Sequence, residues 1–129
     1  INFAKVDAKG NTLVGVDMKR SDLLIGEQEM FVDPILVSQK ETHIKDDSGV
    51  FFIGNLCMEN DMIFNRKVFL ETIPQKDDLI VFMNTAGYFM DFEQSPTLGQ
   101  NIAKKVVLSR TIDKKYKQYT DENFNPFKE

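Results

Sequence analysis

The stretch Val50-Phe51-Phe52-Ile53-Gly54-Asn55-Leu56-Cys57-Met58-Glu59-Asn60-Asp61 sets an apolar run directly against a polar loop that holds the chain's only cysteine. Apolar residues that run on without a break and stop at a glycine have the length and composition of a buried strand. A loop at a strand end is where a rigid sheet can present a reactive side chain. Cys57 therefore has two readings. It is a small core hydrophobe, as most free cysteines are, or a thiol held out for chemistry. Glu59, Asn60 and Asp61 are poor company for full burial and favour the second.

Outward from this stretch the chain is a succession of short apolar runs separated by turn residues. Residues 3–6 and 13–18 read as a hairpin joined through Asp7-Ala8-Lys9-Gly10-Asn11, whose glycine and asparagine tolerate positive φ. Residues 30–37 form a strand interrupted by Pro34, which places it at an edge or on a bulge. The Pro74-Gln75-Lys76-Asp77-Asp78 turn launches residues 79–83, apolar at five successive positions, as in a central strand covered on both faces or one covered by its own barrel on one face and by a partner surface on the other. Further short runs follow at 89–92 and 104–108. With seven or eight such runs and no long amphipathic helix, the pattern predicts an all-β fold, a small β-barrel or sandwich of about seven strands. Residues 1–112 are expected to form this β-barrel domain, and residues 113–129 a polar C-terminal tail or short helix.

Composition bounds the function. A length of 129 residues, 42% hydrophobic and 28% charged, suits one soluble globular domain. No apolar run is long enough to cross a bilayer, and no signal-peptide pattern opens the sequence, so a cytoplasmic protein without a membrane partner is expected. A single cysteine makes no internal disulfide. The net charge of −4 argues against nucleic acid. The sequence opens on Ile1 with no methionine near it, so the domain is expected to be excised from a longer, two-domain enzyme. His43 lies in a polar linker and reads as solvated; with one histidine and one cysteine at no ligand spacing, no metal site is expected.

Gly54-x-x-Cys57-x-x-x-Asp61, followed by Tyr88 at the end of Asn84-Thr85-Ala86-Gly87-Tyr88, resembles the C-terminal β-domain of the fold-type III pyridoxal-phosphate decarboxylases. These are the diaminopimelate, ornithine and carboxynorspermidine decarboxylases. Val14-Gly15-Val16-Asp17 with Ser21-Asp22 is similar to the strand that leads into that domain. The resemblance implies a (β/α)8 barrel elsewhere in the protein, holding pyridoxal 5'-phosphate on a Schiff-base lysine. It also implies an active site shared across a homodimer, with this β-domain completing the partner's site. Cys57 would then be the catalytic acid that protonates the α-carbon after CO2 leaves, since a thiol with an ordinary pKa of about 8.5 is still protonated at neutral pH. Tyr88 and Gly87 would bind the cofactor phosphate, the phenol by a hydrogen bond and the glycine by letting the backbone approach. Met58, Glu59 and Asp61 would face the substrate.

Two departures bear on that substrate. The family's best-known members carry an acidic residue directly after the cysteine, where this chain has Met58, a residue closer to the carboxynorspermidine and siderophore-pathway branches. The Arg-Pro that follows the Ser-Asp pair is replaced by Leu23-Leu24-Ile25-Gly26. The expected substrate is therefore a small amino acid of the polyamine or siderophore-pathway type. Two alternatives stand beside this reading: a non-catalytic β-barrel binding module, in which Tyr88 is a core aromatic and Gly87 a simple bend, and a pyridoxal-phosphate racemase domain, which would not require the cysteine loop.

Overall fold

The computed structural model describes residues 1–23, 32–38, 40, 44–56, 58–85 and 104–120. Over these residues the protein is all-β, with seven strands and one turn of 3₁₀ helix at Arg20–Asp22. The strands are β1 (Phe3–Val6), β2 (Thr12–Gly15), β3 (Ile35–Val37), β4 (Val50–Ile53), β5 (Leu79–Val81), β6 (Val106–Arg110) and β7 (Tyr116–Thr120). They make a three-stranded sheet in the order β1-β2-β4 and two ribbons, β3-β5 and β6-β7. No closed barrel forms among the described residues, and the layered, sandwich-like arrangement of small sheets fits the expected all-β class.

β1 and β2 form the predicted hairpin, antiparallel with Phe3 opposite Gly15 and Val6 opposite Thr12. Its turn is built by Asp7, whose carboxylate accepts the backbone N–H groups of Lys9 and Asn11 at 2.8 Å each, while Gly10 takes the left-handed φ of +83° that the turn requires. β2 is shorter than residues 13–18 suggest, because the chain beyond Gly15 leaves the ladder to meet the loop after β4. β4 lies parallel to β2, Thr12 opposite Val50 and Gly15 opposite Ile53. A parallel pair needs a long crossover, and residues 16–49 supply it.

The core sits on one side of this sheet. Val14, Val16, Val50, Phe52, Ile63, Phe64, Val68 and Leu23 are buried together, with Ile80 and Phe82 packed against them. Phe52, Phe64 and Phe82 form a triangle with ring centroids 6.0–6.1 Å apart in tilted and edge-on pairs, the geometry that aromatic quadrupoles favour. Along β4, Val50 and Phe52 are fully buried and Phe51 and Ile53 half-buried. That alternation is the period-two signature of a strand with one core face.

Within this chain β5 is covered on one face: Ile80 points to the core, whereas Leu79 and Val81 remain about half exposed. One expectation is corrected. The segment from Asp113 is not simply a tail or short helix, since Tyr116–Thr120 pairs with Val106–Arg110 in an antiparallel ribbon. The reason is local: Lys114 adopts a positive φ of 63°, and the Thr111 N–H donates to the Lys115 carbonyl at 2.8 Å while the Lys114 N–H donates to the Thr111 carbonyl at 2.9 Å, a tight turn that folds the polar segment back on β6. The run at residues 89–92 lies outside the described residues. Pro34 stands just before β3, where its missing N–H breaks no ladder bond.

Candidate functional site

β4 ends at Ile53, whose carbonyl accepts the N–H of Val16 at 3.0 Å. The next residues form a closed loop from Gly54 to Asp61. Its mouth is fastened by the Gly54 N–H donating to the Asp61 carbonyl at 2.7 Å, and its floor by the Asn55 N–H donating to the Met18 carbonyl at 2.9 Å. The loop is therefore hung from the strand end on one side and from the crossover on the other.

Asp61 holds the interior. It is only 6% exposed. One carboxylate oxygen accepts the backbone N–H of Leu56 at 2.8 Å, and the other accepts the backbone N–H of Arg20 at 2.7 Å. Its own N–H donates to the Met58 carbonyl at 3.1 Å. Gly54 makes room for this carboxylate, because a β-carbon at Gly54 would overlap the Asp61 side chain. The glycine and the aspartate of the sequence motif are thus one steric and hydrogen-bonded unit.

The crossover side is equally well fastened. Arg20 is 9% exposed and its guanidinium donates to the Met62 carbonyl at 2.7 Å and the Ile63 carbonyl at 3.1 Å. Lys19 is 2% exposed and its ammonium is paired with the Asp22 carboxylate. Asp22 also accepts the backbone N–H of Lys19 at 3.0 Å with its side chain, and its own N–H donates to the Lys19 carbonyl at 3.1 Å, which closes the 3₁₀ turn. Buried cations are tolerated where they are paired and hydrogen-bonded in this way.

Of the residues singled out by sequence, Met58 and Glu59 lie on the outer side of the loop, exposed, with Met58 42% accessible. Asp61 lies on the inner side. Cys57, Gly87, Tyr88 and His43 fall outside the described residues. Among the described residues no group of histidine, cysteine and carboxylate side chains is placed to hold a metal ion, and no helix is long and apolar enough to cross a membrane. Lys19 and Arg20 carry no site signal in the sequence, where Lys19-Arg20-Ser21-Asp22 reads as a polar break. Two long cations followed by Ser21 and Asp22 make a pattern commoner on solvated turns than in clasps.

Over 64 residues, 49% of this chain, the sequence is 39% identical to the uncharacterized protein y4yA of Sinorhizobium fredii. Those residues are 14% of that protein, so the chain spans well under two thirds of the curated relative it matches. No family model and no solved structure matches the chain.

Proposed function

We propose that this chain is the β-domain of a cytoplasmic pyridoxal-phosphate-dependent amino acid decarboxylase, contributing Cys57 as an acid to a site shared across a homodimer. The observation that carries the reading is the clasped loop Gly54–Asp61. It holds Leu56 and Met58, the two chain neighbours of the cysteine, from a buried anchor, while Met58, Glu59 and Asn60 face outward. General acid catalysis needs a donor carried on a fixed, accessible loop.

Two further observations support it. Ser21 Oγ and Asn55 Oδ1, one in the adjoining turn and one in the loop, are buried without a hydrogen-bond partner among the described residues. Buried polar atoms are ordinarily satisfied, and a group delivered from another domain would satisfy them. The relative's length is about 460 residues, since 64 of them make 14%. A domain of this size beside a (β/α)8 barrel of about 250 residues fits within such a length.

The cofactor, when bound, would accept the electron pair left on the α-carbon as the substrate carboxylate departs as CO2. Cys57 would pass its S–H proton to that carbon, forming the C–H bond and leaving a thiolate that regains a proton from solvent. Tyr88 and Gly87 would hold the cofactor phosphate. Met58, apolar and exposed, would line the distal part of the substrate, with Glu59 beside it to meet a substrate ammonium; this favours amino acids of the polyamine or siderophore-pathway type.

The test is CO2 release by the intact protein, loaded with pyridoxal phosphate, from a panel of basic and citrate-conjugated amino acids. Cys57→Ala is expected to lower turnover by about 10²–10⁴-fold while cofactor absorbance persists. Unchanged turnover and unchanged product stereochemistry would remove the assignment. A second reading, a binding module, is favoured by the open aliphatic face of β3 and β5, and predicts no decarboxylation of any substrate in the panel.

A further inference from the structure

We infer that Asp61 is the positioning residue of the Cys57 loop and not a substrate ligand, an inference that rests on the decarboxylase reading above. The residue grips both chain neighbours of the cysteine. Its carboxylate takes the Leu56 N–H at 2.8 Å and its own N–H reaches the Met58 carbonyl at 3.1 Å. The second carboxylate oxygen is committed to the Arg20 N–H at 2.7 Å, 41 residues away in sequence. Leu56 and Met58 are therefore both fastened to one buried residue, and that residue is itself fastened to the crossover.

A substrate-binding role would demand the opposite geometry. To meet a substrate ammonium, the carboxylate would have to leave its 6% exposed position and turn outward. That would strip the Leu56 and Arg20 N–H groups of their acceptor, and buried donors without acceptors are strongly disfavoured. Gly54 adds a steric reason, because the space occupied by the Asp61 carboxylate is the space that a side chain at residue 54 would fill. The outward-facing Met58 and Glu59 are left as the loop's contacts with substrate.

The two roles separate kinetically. Asp61→Asn keeps the shape of the side chain but turns one acceptor oxygen into an N–H2 donor, set against the N–H of Leu56 or of Arg20. For a positioning residue, the intact decarboxylase should lose kcat by about 10–100-fold, since small misplacements of a reacting group cost that much. Its KM should stay within about twofold, and the fraction of product protonated at the wrong position should rise. For a substrate ligand, KM should rise with kcat retained, and that result would overturn the inference.

A measurement independent of turnover is amide hydrogen exchange. The Leu56 and Arg20 amides should be protected in the wild-type protein, and one of them should lose at least tenfold of its protection in Asp61→Asn. Equal protection in both proteins would also overturn the inference. Gly54→Ala, which displaces the same carboxylate from the other side, should reproduce the kinetic pattern and serves if Asp61→Asn does not fold. Loss of turnover in Cys57→Ala together with normal kinetics in Asp61→Asn would sink the positioning role alone, whereas normal turnover in Cys57→Ala would sink the decarboxylase reading and this inference with it.

Discussion

Gly54 and Asp61 face each other across the mouth of the cysteine loop, the Gly54 N–H donating to the Asp61 carbonyl at 2.7 Å with the Asp61 side chain folded into the space beside the glycine. The pair makes the loop a fixed extension of β4. A methyl group at residue 54 forces either the carboxylate or the strand end to move. Gly54→Ala should therefore lower stability by about 1–3 kcal/mol, as overpacking does. Urea unfolding monitored by circular dichroism would measure it. Gly10→Ala is the useful contrast: nothing lies within 4 Å of a β-carbon there, but its φ is +83°, so about 1 kcal/mol of backbone strain is expected without any change in the loop.

The aromatic triangle should dominate stability. Phe52 is fully buried between Phe64 and Phe82, and Phe52→Ala should cost about 3–5 kcal/mol. Phe69, 65% exposed, should lose less than about 1 kcal/mol on the same substitution. Thermal or denaturant midpoints of the two variants, taken side by side, test whether the core lies where the packing puts it.

Lys19 and Asp22 form a covered ion pair beside the loop. Asp22→Asn leaves the lysine without its counter-charge and removes an acceptor from the 3₁₀ turn. The expected loss is about 3 kcal/mol, in the range for a broken buried pair. Lys19→Met with Asp22→Asn should recover much of it, because the unpaired charge is then gone. A double-mutant cycle in urea would read the coupling, and additive losses would show that the two side chains act separately.

Ile35 and Val37 on β3 lie opposite Val81 and Leu79 on β5 and share one open face. Substitution there meets solvent and no core atom. Leu79→Lys is expected to change stability by no more than about 0.5 kcal/mol, measured by urea unfolding. A large loss of stability would mean that this face is covered in the folded protein.

Asp7 gives the β1–β2 turn a pH dependence. Its carboxyl is held below the ordinary value of 3.8, first by the hydrogen bond from the Asn11 side chain and then by the Asn11 and Lys9 backbone. A carboxyl lowered by folding stabilises the turn at pH values above its unfolded pKa, and the contribution fades as pH falls through the lowered folded value. The Asn11 amide resonance, followed by NMR from neutral pH downward, should stay constant through pH 5 and shift only in the acid range. Asp7→Asn should abolish that shift.

Much of the strand plan could be read directly from residue order. The run 50–53, its stop at Gly54, the turn at Asp7 to Asn11 and the all-β class follow from apolar periodicity and turn chemistry, which are local properties of the chain. Direction and partnership are not local. That β4 lies parallel to β2, that only one face of β5 is covered, and that the residues after Asp113 fold back on β6 depend on which surfaces meet after the crossover closes, and periodicity carries no record of that. The same holds for the site. The spacing of Gly54, Cys57 and Asp61 was visible, but the part Asp61 plays comes from Arg20, 41 residues away. A carboxylate becomes a buried anchor only where folding brings backbone donors to it, and those donors belong to every residue type alike.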